Sequence, residues 1–250
     1  MMNLLKMEFY KLRHRKMGLM VVGLACVQLL YMMWATKDMT IAEQSQGWKN
    51  GIYSFSTLNA MMMPLFIAVI ASRISDIEHK GNTFKSLKTI TSSQKLLDAK
   101  ILCGGIYLLS AILLQVLVLF IVSKQRHFTE ILPVGYMIYY VLSTFIMSMI
   151  LLMLQLSLSL IWGNQMIAFM VAIAGAFLGL YSMFFSEKIA RWILWGYYAL
   201  LSPVRMNWDE TTRIVDFYWT KLPIVNLLVV ILGLVSLYII GKVLFVRRES

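Results

Sequence analysis

The charged residues of this chain fall in clumps, and the gaps between the clumps dictate its architecture. From Ile131 to Ser186 there are 56 consecutive residues without Asp, Glu, Lys or Arg. One helical crossing of a bilayer takes about 20 apolar residues, so this stretch predicts two crossings joined by a tight turn at Gly163-Asn164-Gln165. Four more charge-poor runs, Met17–Thr36, Asn50–Ser72, Ile101–Ser123 and Leu222–Gly241, are each long enough for one crossing. The pattern predicts an all-α integral membrane protein with six transmembrane helices, spanning 17–36, 50–72, 101–123, 133–162, 165–186 and 222–241.

Composition narrows the function. At 250 residues, 60% hydrophobic and a mean hydropathy of +0.73, most of the chain is committed to membrane, and a separate soluble catalytic domain has no room. Residues 1–250 therefore read as one transmembrane domain. A net charge of +11 would suggest nucleic acid in a soluble protein; here it reports topology, and no nucleic-acid role is expected. Lys and Arg gather on the cytoplasmic side of membrane proteins. The N-terminal segment, the loop 73–100 and the C-terminal tail carry 14 of them, against 9 in the remaining loops. Both termini are therefore expected inside. The first apolar run ends in Ala35-Thr36-Lys37 without a small-x-small site, and reads as a retained helix. Cys26 and Cys103 lie in or at the start of predicted spans, which gives neither a disulfide framework nor a metal site.

Polar residues within and beside the spans are the next signal. In residues 1–16, Met2, Leu5, Phe9 and Leu12 form one helical stripe while Lys6, Lys11, Arg13 and Arg15 point elsewhere. That predicts an amphipathic helix in the membrane interface, seated through Leu5, Phe9 and Leu12. Asn59 and Pro64 fall in span 2, Gln115 in span 3 and Gln155 in span 4. Amides at that depth turn inward; Asn59, Gln115 and Gln155 read either as glue between helices or as a candidate substrate path. Pro64 predicts a kink. Gly175 and Gly179 form a G-x-x-x-G pattern that permits close approach. The segment 187–221 holds four of the seven tryptophans, and its uncharged run Trp192–Val204 is too short to cross. It predicts a short re-entrant helix in the outer leaflet, with Trp192, Trp195 and Tyr198 as interfacial anchors.

Catalytic sets are missing from the sequence. The three histidines fall in loops, no Asp or Glu lies within the six runs, and the zinc-protease, nucleophile-elbow and P-loop patterns are all absent. The chain reads as a conduit or mechanical device driven from elsewhere, not as an enzyme. Its most informative loop is 73–100. Gly81 breaks the helix leaving span 2, Asn82 or Thr83 caps a new one, and Phe84, Leu87 and Thr91 share a face. Such a short amphipathic helix either rests on the membrane or fits a groove in a partner.

The arrangement Glu78-x-x-Gly81-x-x-Phe84-Lys85-x-Leu87, then Ser93 and Ala99-Lys100, resembles the span 2–3 loop of ABC-2-type permeases. Leu5-x-x-Glu8-x-x-Lys11-Leu12 resembles the start of the same family. Glu78 and Gly81 stand one residue closer than is usual there, Asn82-Thr83 replaces a Gly-Thr pair, and Thr89-Ile90-Thr91 lacks a common proline. With six spans in 250 residues, the likeness is to the lantibiotic-immunity permeases of Gram-positive bacteria. The resemblance implies a type V exporter-like permease in a plasma membrane, with residues 1–16 as connecting helix. Glu78, Gly81, Phe84, Leu87 and Thr91 would form the coupling helix on a partner ATPase. It also implies two ATPase subunits that hold ATP and magnesium, a second six-span permease (a paralogue or a copy), and a cationic antimicrobial peptide as cargo, with no cofactor on this chain. The alternatives are export of another drug or lipid-like molecule, or a scaffold or sensor that binds peptide without moving it.

Overall fold

In the computed structural model, helix accounts for 81% of the structure and six helices are long and apolar enough to cross a membrane. It describes residues 2–81, 92–162, 164–208 and 215–249, without the side chains of 77–81, 93 and 244–249. After α1 (Met2–Leu12) and a turn of 3-10 helix, Lys16 adopts a left-handed conformation (φ 52°) and redirects the chain into α2 (Met17–Ala35). A short α3 (Ile41–Gln44) is fixed by a capping box. The Thr40 hydroxyl accepts from Glu43 N at 3.3 Å, and the Glu43 carboxylate accepts from Thr40 N at 2.7 Å. The long helices follow: α4 (Gly47–Gly81), α5 (Ser93–Gln125), α6 (Val134–Ile161) and α7 (Gln165–Tyr181), the last capped by Asn164 Oδ1 on Met166 N. Two short helices, α8 (Glu187–Ala190) and α9 (Tyr197–Leu200), and a hairpin precede the closing α10 (Ile224–Glu249).

The six spans match the predicted set, with two of them longer than charge alone suggested. Helix α4 runs unbroken through Pro64, and its last residue is Gly81. Helix α5 begins eight residues before Ile101, so Asp98 and Lys100 lie within it. The charged ends are helical because other helices supply them with partners. The hairpin is a departure from an all-α reading. Strands β1 (Val204–Trp208) and β2 (Val215–Trp219) pair antiparallel, Val204 opposite Trp219 and Trp208 opposite Val215. Val204, Met206 and Trp208 alternate with polar residues, a period-two signal that the tryptophan content obscured.

Helices α4 and α6 form the centre, with 67% and 61% of their spanning windows buried, whereas α10 has 11%. The outer face of α10 therefore meets lipid or another subunit. The loops sort to two ends. At one, Lys49 and the Trp219 indole both reach Glu130, and Gln46 bonds Phe217 and Asp216 of the hairpin. At the other, α1, the end of α4, the start of α5 and the last part of α10 converge.

Candidate functional site

Polar side chains at membrane depth collect on one face of α6. Tyr140, Thr144, Ser148, Gln155 and Ser159 recur at spacings of four or seven residues, which keeps them on one side of a helix. From Tyr140 to Ser159 this seam rises about 28 Å, close to the whole hydrocarbon thickness of about 30 Å. All five are buried inside the protomer.

The seam is closed at its first member. Tyr140 donates from its hydroxyl to Gln115 Oε1 at 2.8 Å and accepts from Asn59 Nδ2 at 2.9 Å. Gln115 Nε2 donates to Asn59 Oδ1 at 2.8 Å, and Asn59 Nδ2 reaches Gln115 Oε1 at 3.3 Å. Two of the three predicted path residues are thus brought together across α4 and α5, and they use their amides on each other. Tyr140 was not expected: a tyrosine in an aromatic-rich span reads as an interface residue, and only its helical spacing from Thr144 and Ser148 singles it out. Gln155 differs. Neither of its amide atoms finds a partner among the described residues, although its side chain is buried. Gln28 on α2, which sequence reasoning passed over, is in the same state.

The middle of the seam is met by the aromatic segment. Ser148 donates to Thr144 O at 2.7 Å, so its bond of 2.8 Å to Tyr198 is one it accepts from the phenol. Ser148 lies 14 residues into α6, about 21 Å along it. The chain from Ile193 to Pro203 therefore reaches the middle of α6, as short helical turns instead of one helix. Trp192 and Trp195 part company. Trp192 is 90% exposed at the rim, whereas the Trp195 indole lies flat over Gly175, its Cβ beside Gly179. The G-x-x-x-G face thus receives a ring, and at Gly179 also the Ala60 carbonyl of α4. Tyr197 donates to Arg191 O at 3.1 Å; burial pushes its phenol up, only partly offset by the Arg191 charge, which keeps it a donor.

At the opposite end, ion pairs tie four helices together. Glu8 Oε2 of α1 meets Lys100 Nζ of α5 at 3.2 Å, both essentially inaccessible, and Lys100 also donates to Ile74 O of α4 at 3.2 Å. Lys11 holds the other Glu8 oxygen at 2.7 Å. Arg15 reaches Asp76 at 3.2 Å, and Asp98 takes Lys242 at 3.3 Å and the Tyr238 hydroxyl at 2.8 Å, both from α10. The stripe expected at the membrane interface packs on protein: Leu12 is 1% exposed, Leu5 and Phe9 lie against the core, and the Phe9 ring sits 5.7 Å from that of Tyr107. Met2 leaves the stripe and is exposed. This brace flanks the connection from Gly81 to Ser93. Phe84, Leu87 and Thr91, and the side chain of Glu78, lie outside the described residues.

A family model described as "ABC-2 family transporter protein" matches residues 4–179, from α1 through nearly all of α7. No curated protein matches the chain.

Proposed function

The chain belongs to the ABC-2 transporter family, which makes it a multi-pass permease component that works with an ATPase subunit, and from that premise we propose that it expels a cationic amphipathic peptide of the lantibiotic class. In this reading both termini are cytoplasmic, in the plasma membrane of a Gram-positive cell, and the brace faces the ATPase. Residues Glu78, Gly81, Phe84, Leu87 and Thr91 rest on that ATPase, which holds ATP and magnesium. Force applied there reaches α1, α4, α5 and α10 together, because each is tied to a neighbour at this end and a shift between α1 and α5 would strand a buried charge.

The observation that carries the reading is the brace itself, four helices joined by ion pairs and a hydrogen bond around one short connection, with the Glu8–Lys100 pair at its buried centre. The closed triad supports a second six-span subunit. Asn59 and Gln115 spend most of their amide bonds on each other and on Tyr140, so passage runs at a boundary between permeases, with Gln155 as the remaining path residue. The peptide class rests on the likeness of the 78–100 loop and of the six-span layout. An exposed Trp192 at the rim suits a cargo gathered from the bilayer.

Affinity purification from native membranes tests the assembly: the expected co-purifying proteins are a P-loop ATPase and a second six-span chain. The transporter is then expressed in a sensitive host and challenged with lantibiotics. Protection is expected, and it should vanish when the ATPase P-loop lysine is replaced. Protection that survives this replacement makes the chain a peptide-binding scaffold. Protection only against hydrophobic drugs removes the peptide cargo.

A further inference from the structure

Where α10 enters the membrane, at the end remote from α1, the outer segment and the first turn of that helix enclose a crevice of about 400 Å³. Arg191, Arg205 and Lys221 line it, together with one carboxylate, Glu187. Arg205 is fixed: one guanidinium nitrogen donates to Ala199 O at 2.9 Å and another meets Glu187 Oε1 at 3.3 Å. Arg191 reaches the other Glu187 oxygen more loosely, at 3.7 Å. Among the described residues, three cations share one anion, for a net charge of +2, and the positive end of the α10 dipole adds to it.

The remaining wall is apolar. Leu222, Ile224 and Val225 line the crevice and are exposed, Val225 by 71%, and Leu228, Val229 and Leu232 continue the exposed strip along α10. A basic crevice thus opens directly onto a hydrocarbon-facing strip. Residues far apart in sequence supply the charge, and a guanidinium fork matches phosphate oxygens.

We propose that this crevice binds the phosphate headgroup of an anionic phospholipid, whose acyl chains lie on the exposed face of α10. A soluble phosphate would use the charged half and leave the strip without a purpose. The site is independent of what the transporter exports.

The test is lipid retention by the full chain, purified with its assembled partners and equilibrated with vesicles of equal phosphatidylglycerol and phosphatidylcholine. Bound lipid is counted by native mass spectrometry. Wild-type protein should retain phosphatidylglycerol preferentially. Each basic residue near a headgroup contributes about fivefold, so Arg191→Gln with Lys221→Gln should cut that preference roughly thirtyfold. Both side chains are exposed, and intact assembly of the variant is checked in the same spectra. Glu187→Gln should act in the opposite direction, raising the preference about fivefold, which a merely structural role for the cluster would not do. Equal retention of the two lipids, or a preference that survives the double substitution, overturns the proposal. Displacement of the substitution-sensitive lipid by inorganic phosphate makes the crevice a soluble-phosphate site and overturns it as well.

Discussion

Removing the Tyr140 hydroxyl takes two of the four hydrogen bonds and leaves Asn59 and Gln115 bonded to each other, whereas removing the Gln115 amide takes three and leaves Asn59 Oδ1 without a donor. Tyr140→Phe is therefore expected to cost about 1 kcal/mol or less, in keeping with interhelical bonds in membranes. Gln115→Leu should cost about 1–3 kcal/mol through buried unsatisfied groups. Denaturation in mixed micelles gives both numbers, and equal losses would mean the triad is not the network described. Gly175 makes a steric prediction, from atoms added and not removed. A methyl group there overlaps the Trp195 ring, so Gly175→Ala should destabilise by about 1–3 kcal/mol through overpacking. Trp195→Phe should relieve part of that loss in a double-mutant cycle. At this scale the sequence told which polar groups turn inward but not what they meet. Asn59 and Gln115 stand out because amides are rare among apolar residues. Glu8 and Lys100 did not, since each sits in a charged flank where a buried partner across 92 positions leaves no local trace.

The ion pair between α1 and α5 governs an element. With Lys100→Met, Glu8 keeps Lys11 but loses its buried partner, and about 3 kcal/mol should go with it. The double variant Glu8→Gln with Lys100→Met should recover much of this, because no charge remains at the two inaccessible positions and Lys11 keeps some solvent exposure. Protease cleavage after α1, measured against thermal stability, reports the detachment directly; a double variant no better than the single would show that packing, not charge, holds α1. Periodicity alone does not name what the apolar face of α1 meets. A stripe at Leu5, Phe9 and Leu12 says that one face is apolar, and hydrocarbon and protein satisfy it equally. The spans themselves were legible to within a few residues, because bilayer thickness fixes their length. Helix ends were less so: the start of α5 and the tail of α4 are polar, and only tertiary partners keep them helical. The hairpin escaped for a similar reason, since its strands are five residues each and lie in a segment dominated by aromatic signals.

For the whole molecule, the proposed function puts the push of the ATPase on residues 82–91, between the braced ends of α4 and α5. Phe84→Asp with Leu87→Asp should leave the chain inserted and the partner ATPase active, yet abolish export, since charge replaces the apolar docking face. Undiminished export with the ATPase still bound would remove the coupling role from that loop. The segment that brings Tyr198 to the middle of α6 has a consequence for anyone mapping the chain by reagents. Single cysteines at Trp192 and at Tyr198 stand six positions apart in one loop, but the first is open to water and the second reaches Ser148 at half depth. Membrane-impermeant maleimide should modify the first quickly and the second from neither aqueous side. Scored by the usual rule, that silent interval would be drawn as a seventh crossing, and the two ends of the chain would be assigned to opposite sides.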